Sequence, residues 1–193
     1  DQIYQNALTS DNNLSIRGSI KALPYRLSLG YLNQDGILKT GNISRYTLGL
    51  NLNPSFFNNH LKIELNVKSS LSQSLFANEG AIGAAVYFDP TQKVYMDNKT
   101  YGGYWEWLDP TTSTGLKALA PRNPLGILNL REDKSNVVRH IANVVVDYKL
   151  HFLPELRVVV NAGKDVAEGK GTVVVPENAA STFKRFKDPS NNF

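Results

Sequence analysis

Six stretches of this chain alternate between apolar and polar residues, and each alternation stops at a turn signal. They lie near residues 13–20, 25–33, 44–53, 61–72, 136–150 and 156–163. A period of two places the apolar side chains on one face of an extended strand and the polar ones on the other. The pattern therefore predicts an all-β fold of antiparallel, up-and-down strands with one apolar and one polar face.

The alternation does not say whether the apolar face packs on a protein core or contacts lipid. Strand length helps to decide, because residues 61–72 and 136–150 each form stretches of 12 residues or more. Strands of soluble proteins cluster near five or six residues, whereas transmembrane strands need roughly 9 to 11. The length of these strands therefore favours an apolar face that contacts lipid.

The connections alternate between short and long. Short turns near 21–24, 54–60 and 151–155 trade places with longer loops at 33–43, 73–134 and from 163 onward. Outer-membrane barrels have short periplasmic turns and long extracellular loops. Tyrosines near the strand ends fit the aromatic girdles of such barrels, although tyrosine is also a good strand former. These are Tyr25, Tyr31, Tyr46 and Tyr148.

The long loop 73–134 is rich in aromatic and acidic residues. Flat rings beside carboxylates can stack on and hydrogen-bond to a sugar or a peptide. We expect substrate or partner contacts from Tyr95, Tyr101, Tyr104, Trp105, Trp107, Asp97 and Asp109. The alternatives are that the aromatics form a small core within the loop or dock on a neighbouring subunit.

Several classes of function find little support. The net charge of +4 is spread singly along the chain, which argues against nucleic acid. The absence of cysteine excludes disulfides and thiolate ligands. Oxygen ligands for calcium are available but lack EF-hand spacing, so we predict neither a metal nor a cofactor. Those ligands would be Asp89, Asp97, Asn98 and Asp109.

Catalysis has no clear residue set. The histidines at 60, 140 and 151 fall at turns or on the apolar face, away from any plausible serine and aspartate pair. We therefore expect a protein that is not an enzyme. A glycosidase acting through Glu64 or Glu106 is a distant alternative.

Two blocks of the sequence resemble one family. Residues 25–53, YRLSLGYLNQDGILKTGNISRYTLGLNLN, are similar to a strand and loop of the SusC/RagA-type TonB-linked outer-membrane transporters. Residues 123–163, NPLGILNLREDKSNVVRHIANVVVDYKLHFLPELRVVVNAG, resemble a later strand pair of that family. The two blocks occur in the family's order and spacing, and the similarity covers most of residues 12–163.

The resemblance implies that residues 1–193 are part of a large transmembrane β-barrel with long extracellular loops, in the outer membrane of a Bacteroidetes-type Gram-negative cell. A complete barrel of this class has about 22 strands, so six cannot close it. No secretory signal, TonB box or plug is recognisable, and we expect an interior slice. The polar faces would line the lumen or face the plug through Arg26, Arg45, Lys62, Glu64, Asn66, Lys68, Asn143, Asp147 and Lys149.

The same resemblance implies the partners of the parent protein. They are a SusD-type surface lipoprotein, TonB acting through parts not present here, the remaining barrel and plug, outer-membrane lipid, and a glycan or peptide as the imported ligand. A soluble all-β carbohydrate-binding or adhesion module is the alternative from a different class.

Overall fold

The computed structural model describes residues 2–21, 23–97 and 99–183. Antiparallel strands form one sheet in the order β1-β2-β3-β5-β6-β7, and the two-residue strand β4 pairs with β5. The bounds are β1 Thr9–Ile20, β2 Leu23–Asp35, β3 Asn42–Leu52, β4 Ser55–Phe56, β5 Leu61–Leu75, β6 Glu132–Lys149 and β7 Arg157–Val174. Two short helices lie in the loop between β5 and β6, α1 at Gly80–Tyr87 and α2 at Pro124–Asn129. Neither described helix has the length and apolar character needed to cross a membrane.

The register places most apolar residues of the six long strands on one face of the sheet, which we call the apolar face; exceptions such as Ile141, Val145 and Val159 point to the other face. Residues that lie directly opposite each other across an antiparallel ladder point to the same side. One such row therefore crosses the sheet as Ile16, Leu27, Leu50, Val67 and Ala142. The predicted all-β, antiparallel, up-and-down architecture is confirmed.

The apolar face is not covered by a second layer of the described chain. Leu48, near its centre, is 44% exposed, and Leu29 beside it is 47% exposed. Among the described residues, the buried apolar side chains all lie outside the strands. The sheet is also open, since β1 and β7 each pair on one side only. The core of this chain lies in its loops.

Tyrosines mark the ends of the apolar face. Tyr31 and Tyr46 lie directly opposite each other, and their ring centroids are 4.8 Å apart. The next row toward the long loops is polar on every strand: Ser10, Asn33, Ser44, Gln73, Asn136 and Lys170. Tyr25 and Tyr148 lie nearer the short-turn end. The apolar face thus has a defined height between two tyrosine-bearing borders.

The strands extend further than the alternation predicted. The sequence placed the end of the last strand at 163, but β7 continues to Val174 and pairs with β6 along its whole length. Likewise β1 begins at Thr9 instead of 13, and β6 at Glu132 instead of 136. The added ends of β1 and β6 lie at or beyond the border of the apolar face, and the added part of β7 carries Lys164 and Glu168 on its apolar side, so the hydropathy of these ends does not alternate. Their backbone hydrogen bonds form regardless of side-chain polarity, which is why the pattern missed them.

The extended pairing of β7 can be tested with cysteines, because the chain has none of its own. Val138 lies directly opposite Glu168, whereas Ala167 points to the other face. We expect V138C/E168C to form an intramolecular disulfide in most molecules, since directly opposite residues meet the distance requirement. Mass spectrometry of a non-reduced digest measures the bond. V138C/A167C is the control, and efficient bonding there would show that the register is wrong.

Candidate functional site

The polar face of the sheet carries all nine residues predicted to line a lumen. Each of them lies on the side opposite to the apolar face, as the register requires for Arg26, Arg45, Lys62, Glu64, Asn66, Lys68, Asn143, Asp147 and Lys149. The structure therefore brings these side chains together on one surface. What that surface meets, a pore, a plug or bulk water, stays a prediction.

Asparagines form hydrogen bonds across the polar face. The Nδ2 of Asn51 donates to Oδ1 of Asn66, and the Nδ2 of Asn143 donates to Oδ1 of Asn161 at 2.7 Å. Asn66 and Asn143 lie directly opposite each other on β5 and β6. An amide row of this kind both donates and accepts hydrogen bonds and adds no charge.

Two arginine–aspartate pairs join β6 to β7 on the same face. Arg157 Nε donates to Asp147 Oδ1 at 3.1 Å, and Arg139 Nε donates to Asp165 Oδ1 at 2.9 Å. A second bond in each pair involves the arginine Nη2. Asp147 is therefore engaged within the sheet. The sequence analysis did not select Arg139, Arg157 or Asp165, because the partners of a cross-strand pair are known only once the register is known.

The long loop, residues 76–131, folds into a compact unit together with segments 2–8 and 36–41. We call these three segments the loop cap. Its buried cluster is Ile3, Ala81, Tyr104, Leu125 and Leu128. Backbone bonds from Lys39 to Ile3 (3.0 Å) and from Gln5 to Ile37 (2.9 Å) tie the first segment to the loop between β2 and β3. The loop cap holds most of the core of the described chain.

Two of the predicted contact residues belong to this interior. Tyr104 is buried, and its hydroxyl accepts a hydrogen bond from Asn129 Nδ2 at 3.0 Å. Tyr101 is also buried and donates its hydroxyl proton to the Thr114 carbonyl at 3.0 Å. The interpretation of the aromatics as a small loop core holds for these two rings.

The other predicted contact residues are accessible to different degrees. Tyr95 is 62% exposed, and Asp97 is also exposed. Trp105 and Trp107 are half-buried and pack edge to face, with ring centroids 4.8 Å apart. Asp109 is half-buried and accepts hydrogen bonds from the Thr111 hydroxyl and N–H, which lower its pKa. Accessible rings and a carboxylate therefore lie along one loop.

Asn123 connects the parts of the loop cap. Its buried side chain accepts from the N–H groups of Leu125 (3.0 Å) and Gly126 (3.2 Å), which caps α2. Its Nδ2 donates to the carbonyls of Val94 (2.9 Å) and Trp105 (3.2 Å). Asparagine followed by proline is a favourable helix start, because the amide oxygen accepts from free N–H groups of the first turn and proline has no N–H to leave unpaired. One buried amide thus fixes α2 against the aromatic segment.

Glu106 is a buried carboxylate beside this amide. It is 3% exposed, and its Oε1 accepts from the Asn123 N–H at 3.0 Å. Its Oε2 makes no hydrogen bond with the described residues, and Arg122 Nη1 lies 3.9 Å away. Burial raises the pKa of Glu106 to about 7, opposed by the Asn123 N–H and by the charge of Arg122.

The predicted oxygen ligands that the structure describes do not gather into a metal site. Asp89 accepts the N–H and hydroxyl of Thr91 at 2.9 and 2.8 Å, in the same type of local turn as Asp109. Asn98, the other possible calcium ligand, lies outside the described residues. Within the described ranges, no group of three or more histidines, aspartates or glutamates could bind an ion.

Comparison with known sequences finds two relatives, and no family model matches the chain. The TonB-dependent receptor SusC of Bacteroides thetaiotaomicron is 43% identical over 186 residues, which are 91% of this chain and 18% of that receptor. The TonB-dependent receptor P26 of Formosa agariphila is 31% identical over 109 residues, covering 54% of this chain and 11% of the relative. The chain therefore spans less than a fifth of the relatives that it matches.

In the comparison with solved structures, too, the match covers most of this chain and less than a fifth of the other one. The RagAB peptide importer in its closed-closed state superposes with a TM-score of 0.60, at 20% identity, over 90% of this chain and 19% of that one. Its open-open state gives 0.59 over 88% and 18%, again at 20% identity. This similarity shows a shared fold in which the sheet is one segment of a much larger chain.

The raised pKa of Glu106 predicts a pH-dependent loop cap. Because the pKa of Glu106 in the folded loop, about 7, exceeds the usual glutamate value of 4.5, the folded loop retains the proton that the unfolded loop loses. This contribution to the stability of the loop cap is fully present below about pH 4.5 and is lost as the pH rises through about 7. Hydrogen exchange of loop-cap amides should therefore show weaker protection, beyond the intrinsic rate, at pH 8 than at pH 5.

E106Q should remove that difference, since the amide does not titrate. E155Q is the matched control, because Glu155 is an exposed carboxylate in the turn between β6 and β7. It should keep the pH dependence of the wild type. An E106Q variant with the same pH dependence as the wild type would contradict the assignment to Glu106.

Proposed function

Because this chain belongs to the SusC/RagA-type family of TonB-dependent outer-membrane receptors, we propose that it forms part of the barrel wall of an outer-membrane importer. The observation that carries this proposal is the uncovered apolar face of six long strands. A soluble protein packs such a face on a second layer, whereas lipid covers it in a transmembrane barrel. The relatives are named as receptors and as an importer, which fits a protein that is not an enzyme.

The borders of the apolar face support a position in the bilayer. Tyr31 and Tyr46 form its upper border, and the polar row with Asn33 and Asn136 follows immediately. Aromatic rings at the boundary between hydrocarbon and water are typical of membrane barrels. β6 has 18 residues, more than the roughly 9 to 11 that a membrane strand needs, so its first part would project outward toward the loop cap.

The polar face would then form the inner wall. Its asparagine row and its charged side chains suit a hydrated lumen or the surface of a plug domain, because both offer hydrogen-bonding partners. Energy from TonB would reach the transporter through a plug that is not part of this chain. The remaining barrel strands would pair with the open edges of β1 and β7, since hydrocarbon cannot satisfy unpaired backbone groups.

The loop cap would face the outside of the cell. Its accessible rings and Asp97 are the surface that we propose for a SusD-type lipoprotein or for the imported glycan or peptide. The buried Tyr101 and Tyr104 would support that surface from within. A soluble carbohydrate-binding module would use the same loop, but the uncovered apolar face weighs against it.

Spin labels can test the position in the bilayer within the full receptor. Leu50 lies on the apolar face and its neighbour Asn51 on the polar face. Dissolved oxygen, which concentrates in lipid, should enhance the relaxation of a spin label at L50C. A water-soluble nickel complex should enhance the relaxation of a label at N51C. Labels placed one at a time at residues 47–52 should alternate between access to oxygen and access to the nickel complex. Equal access of the nickel complex at both positions would contradict a membrane wall and favour the soluble module.

The outer surface can be tested through transport. Y95A/W107A removes two accessible rings, and we expect about tenfold slower uptake of a labelled oligosaccharide or peptide, since aromatic anchors dominate many interfaces. F152A is the control, because Phe152 is an exposed ring in the turn at the opposite end of the sheet. Co-purification of the SusD-type lipoprotein separates a docking role from ligand contact. Unchanged uptake with the double variant would contradict the proposed role of these rings.

A further inference from the structure

The apolar face is interrupted at one place by a polar, cationic cluster. Ser69 and His140 lie directly opposite each other on β5 and β6, and Ser69 Oγ is 2.8 Å from His140 Nδ1. Lys164 on β7 lies opposite Ala142, two residues along β6 from His140, and therefore faces the same side. Diagonal neighbours across a ladder are within reach of a long side chain. We call Ser69, His140 and Lys164 the polar cluster.

The polar cluster adjoins a groove in the apolar face. The groove has a volume of about 760 Å³. Leu29, Tyr31, Tyr46 and Leu48 line it together with Ser69 and His140. Polar residues flank the groove on both sides, Ser69 and His140 on one and Asn12 and Asn13 on the other. A largely apolar groove with polar groups at its margin has the form of a site for an amphipathic ligand.

The charge of the polar cluster is not neutralised by the described chain. Lys164 makes no ion pair with a described residue, and the neighbouring Asp165 points to the polar face, where it binds Arg139. Glu168, the next carboxylate on the apolar side of β7, pairs with Lys170 at 3.0 Å. His140 Nδ1 lies 2.8 Å from Ser69 Oγ, and with the Ser69 hydroxyl donating to Nδ1 the ring proton is on Nε2, which is then available as a donor. The cluster thus offers donors and positive charge to an anion.

The height of the polar cluster matches the outer border of a bilayer. His140 lies eight residues along β6 from Tyr148, at the short-turn end. At about 3.3 Å per residue and a strand tilt of about 40°, it lies about 20 Å above that end, in an apolar band of roughly 25 Å. The lysine side chain can extend further outward while its methylene groups stay on apolar surface. Lys164, opposite Ala142, begins lower, at about 15 Å, and its extended side chain carries the ammonium toward the level at which headgroups begin.

We propose that the polar cluster binds the phosphate of an anionic lipid in the outer leaflet, with one acyl chain lying in the groove beside Leu29 and Leu48. Lys164 supplies the charge and His140 Nε2–H supplies a hydrogen bond to a phosphate oxygen, while the Ser69 hydroxyl donates to His140 Nδ1 and so holds the ring in that tautomer. This inference rests on the proposed function, because it requires the apolar face to contact lipid. It adds a specific lipid site to a surface otherwise suited to any acyl chain.

Native mass spectrometry of the full receptor can test the site. The receptor is released from nanodiscs that contain phosphatidylglycerol and phosphatidylcholine with the same acyl chains. The wild type should retain phosphatidylglycerol preferentially. H140Q/K164Q should retain about tenfold less, since hydrogen bonds to charged groups are the stronger class. The single variants H140Q and K164Q should each show part of the loss.

K68Q is the matched control, because Lys68 is adjacent to Ser69 but lies on the polar face. It removes the same charge as K164Q and should retain phosphatidylglycerol like the wild type. Retention by H140Q/K164Q equal to that of the wild type would overturn the proposal, and so would an equal loss in K68Q. A wild type without preference for phosphatidylglycerol would overturn it as well.

The spin label at L50C separates this failure from a failure of the proposed function. If that label is accessible to oxygen and the lipid preference is absent, the proposal of a membrane wall is supported and the proposal of a lipid site is wrong. If the label is accessible to the water-soluble nickel complex, the proposal of a membrane wall is wrong. The lipid site is then wrong as well, because it requires the apolar face to contact lipid.

Discussion

The structure depends on an unbroken antiparallel ladder from β1 to β7. Each interior strand donates and accepts backbone hydrogen bonds on both sides, and this pairing holds the sheet together without a side-chain core beneath it. Among the long strands of the described chain, β1 and β7 keep open edges. In hydrocarbon, unpaired backbone groups are very costly, so a sheet of this kind belongs in a closed barrel. The small share of each relative that the chain covers is consistent with that requirement.

Side-chain packing is concentrated in the loop cap. Asn123 makes hydrogen bonds to both neighbouring segments, and Glu106 is held beside it in a buried setting. Burying an amide and a carboxylate is unfavourable unless they are bonded, so these contacts specify one arrangement of the loop. Tyr101 and Tyr104 fill the interior, which leaves Tyr95 accessible on a rigid base. A loop held in one arrangement would lose less conformational entropy on binding the proposed partner or ligand.

The two faces of the sheet were predictable because side-chain direction in a strand follows sequence position. All nine residues selected for the polar face lie on that face, from Arg26 to Lys149. The strand ends were predicted less well, as for β7 beyond 163. Backbone pairing continues there although Lys164 and Glu168 interrupt the apolar side of β7, so hydropathy does not reveal it. The division of the aromatic loop into buried and accessible rings was also not predictable, because Ile3 and Leu38 come from distant segments.

The sequence alone determined the all-β class, the two chemically different faces and the resemblance to SusC/RagA-type receptors, since each depends on local periodicity or on residues in order. The tertiary structure decided the contacts between distant positions: Arg139 with Asp165, Glu106 with Asn123, and Ser69 with His140. These pairs need the register and the fold of the loop cap before they can meet. These residues are far apart along the chain, and the antiparallel pairing and the fold of the loop cap bring them within a few ångströms.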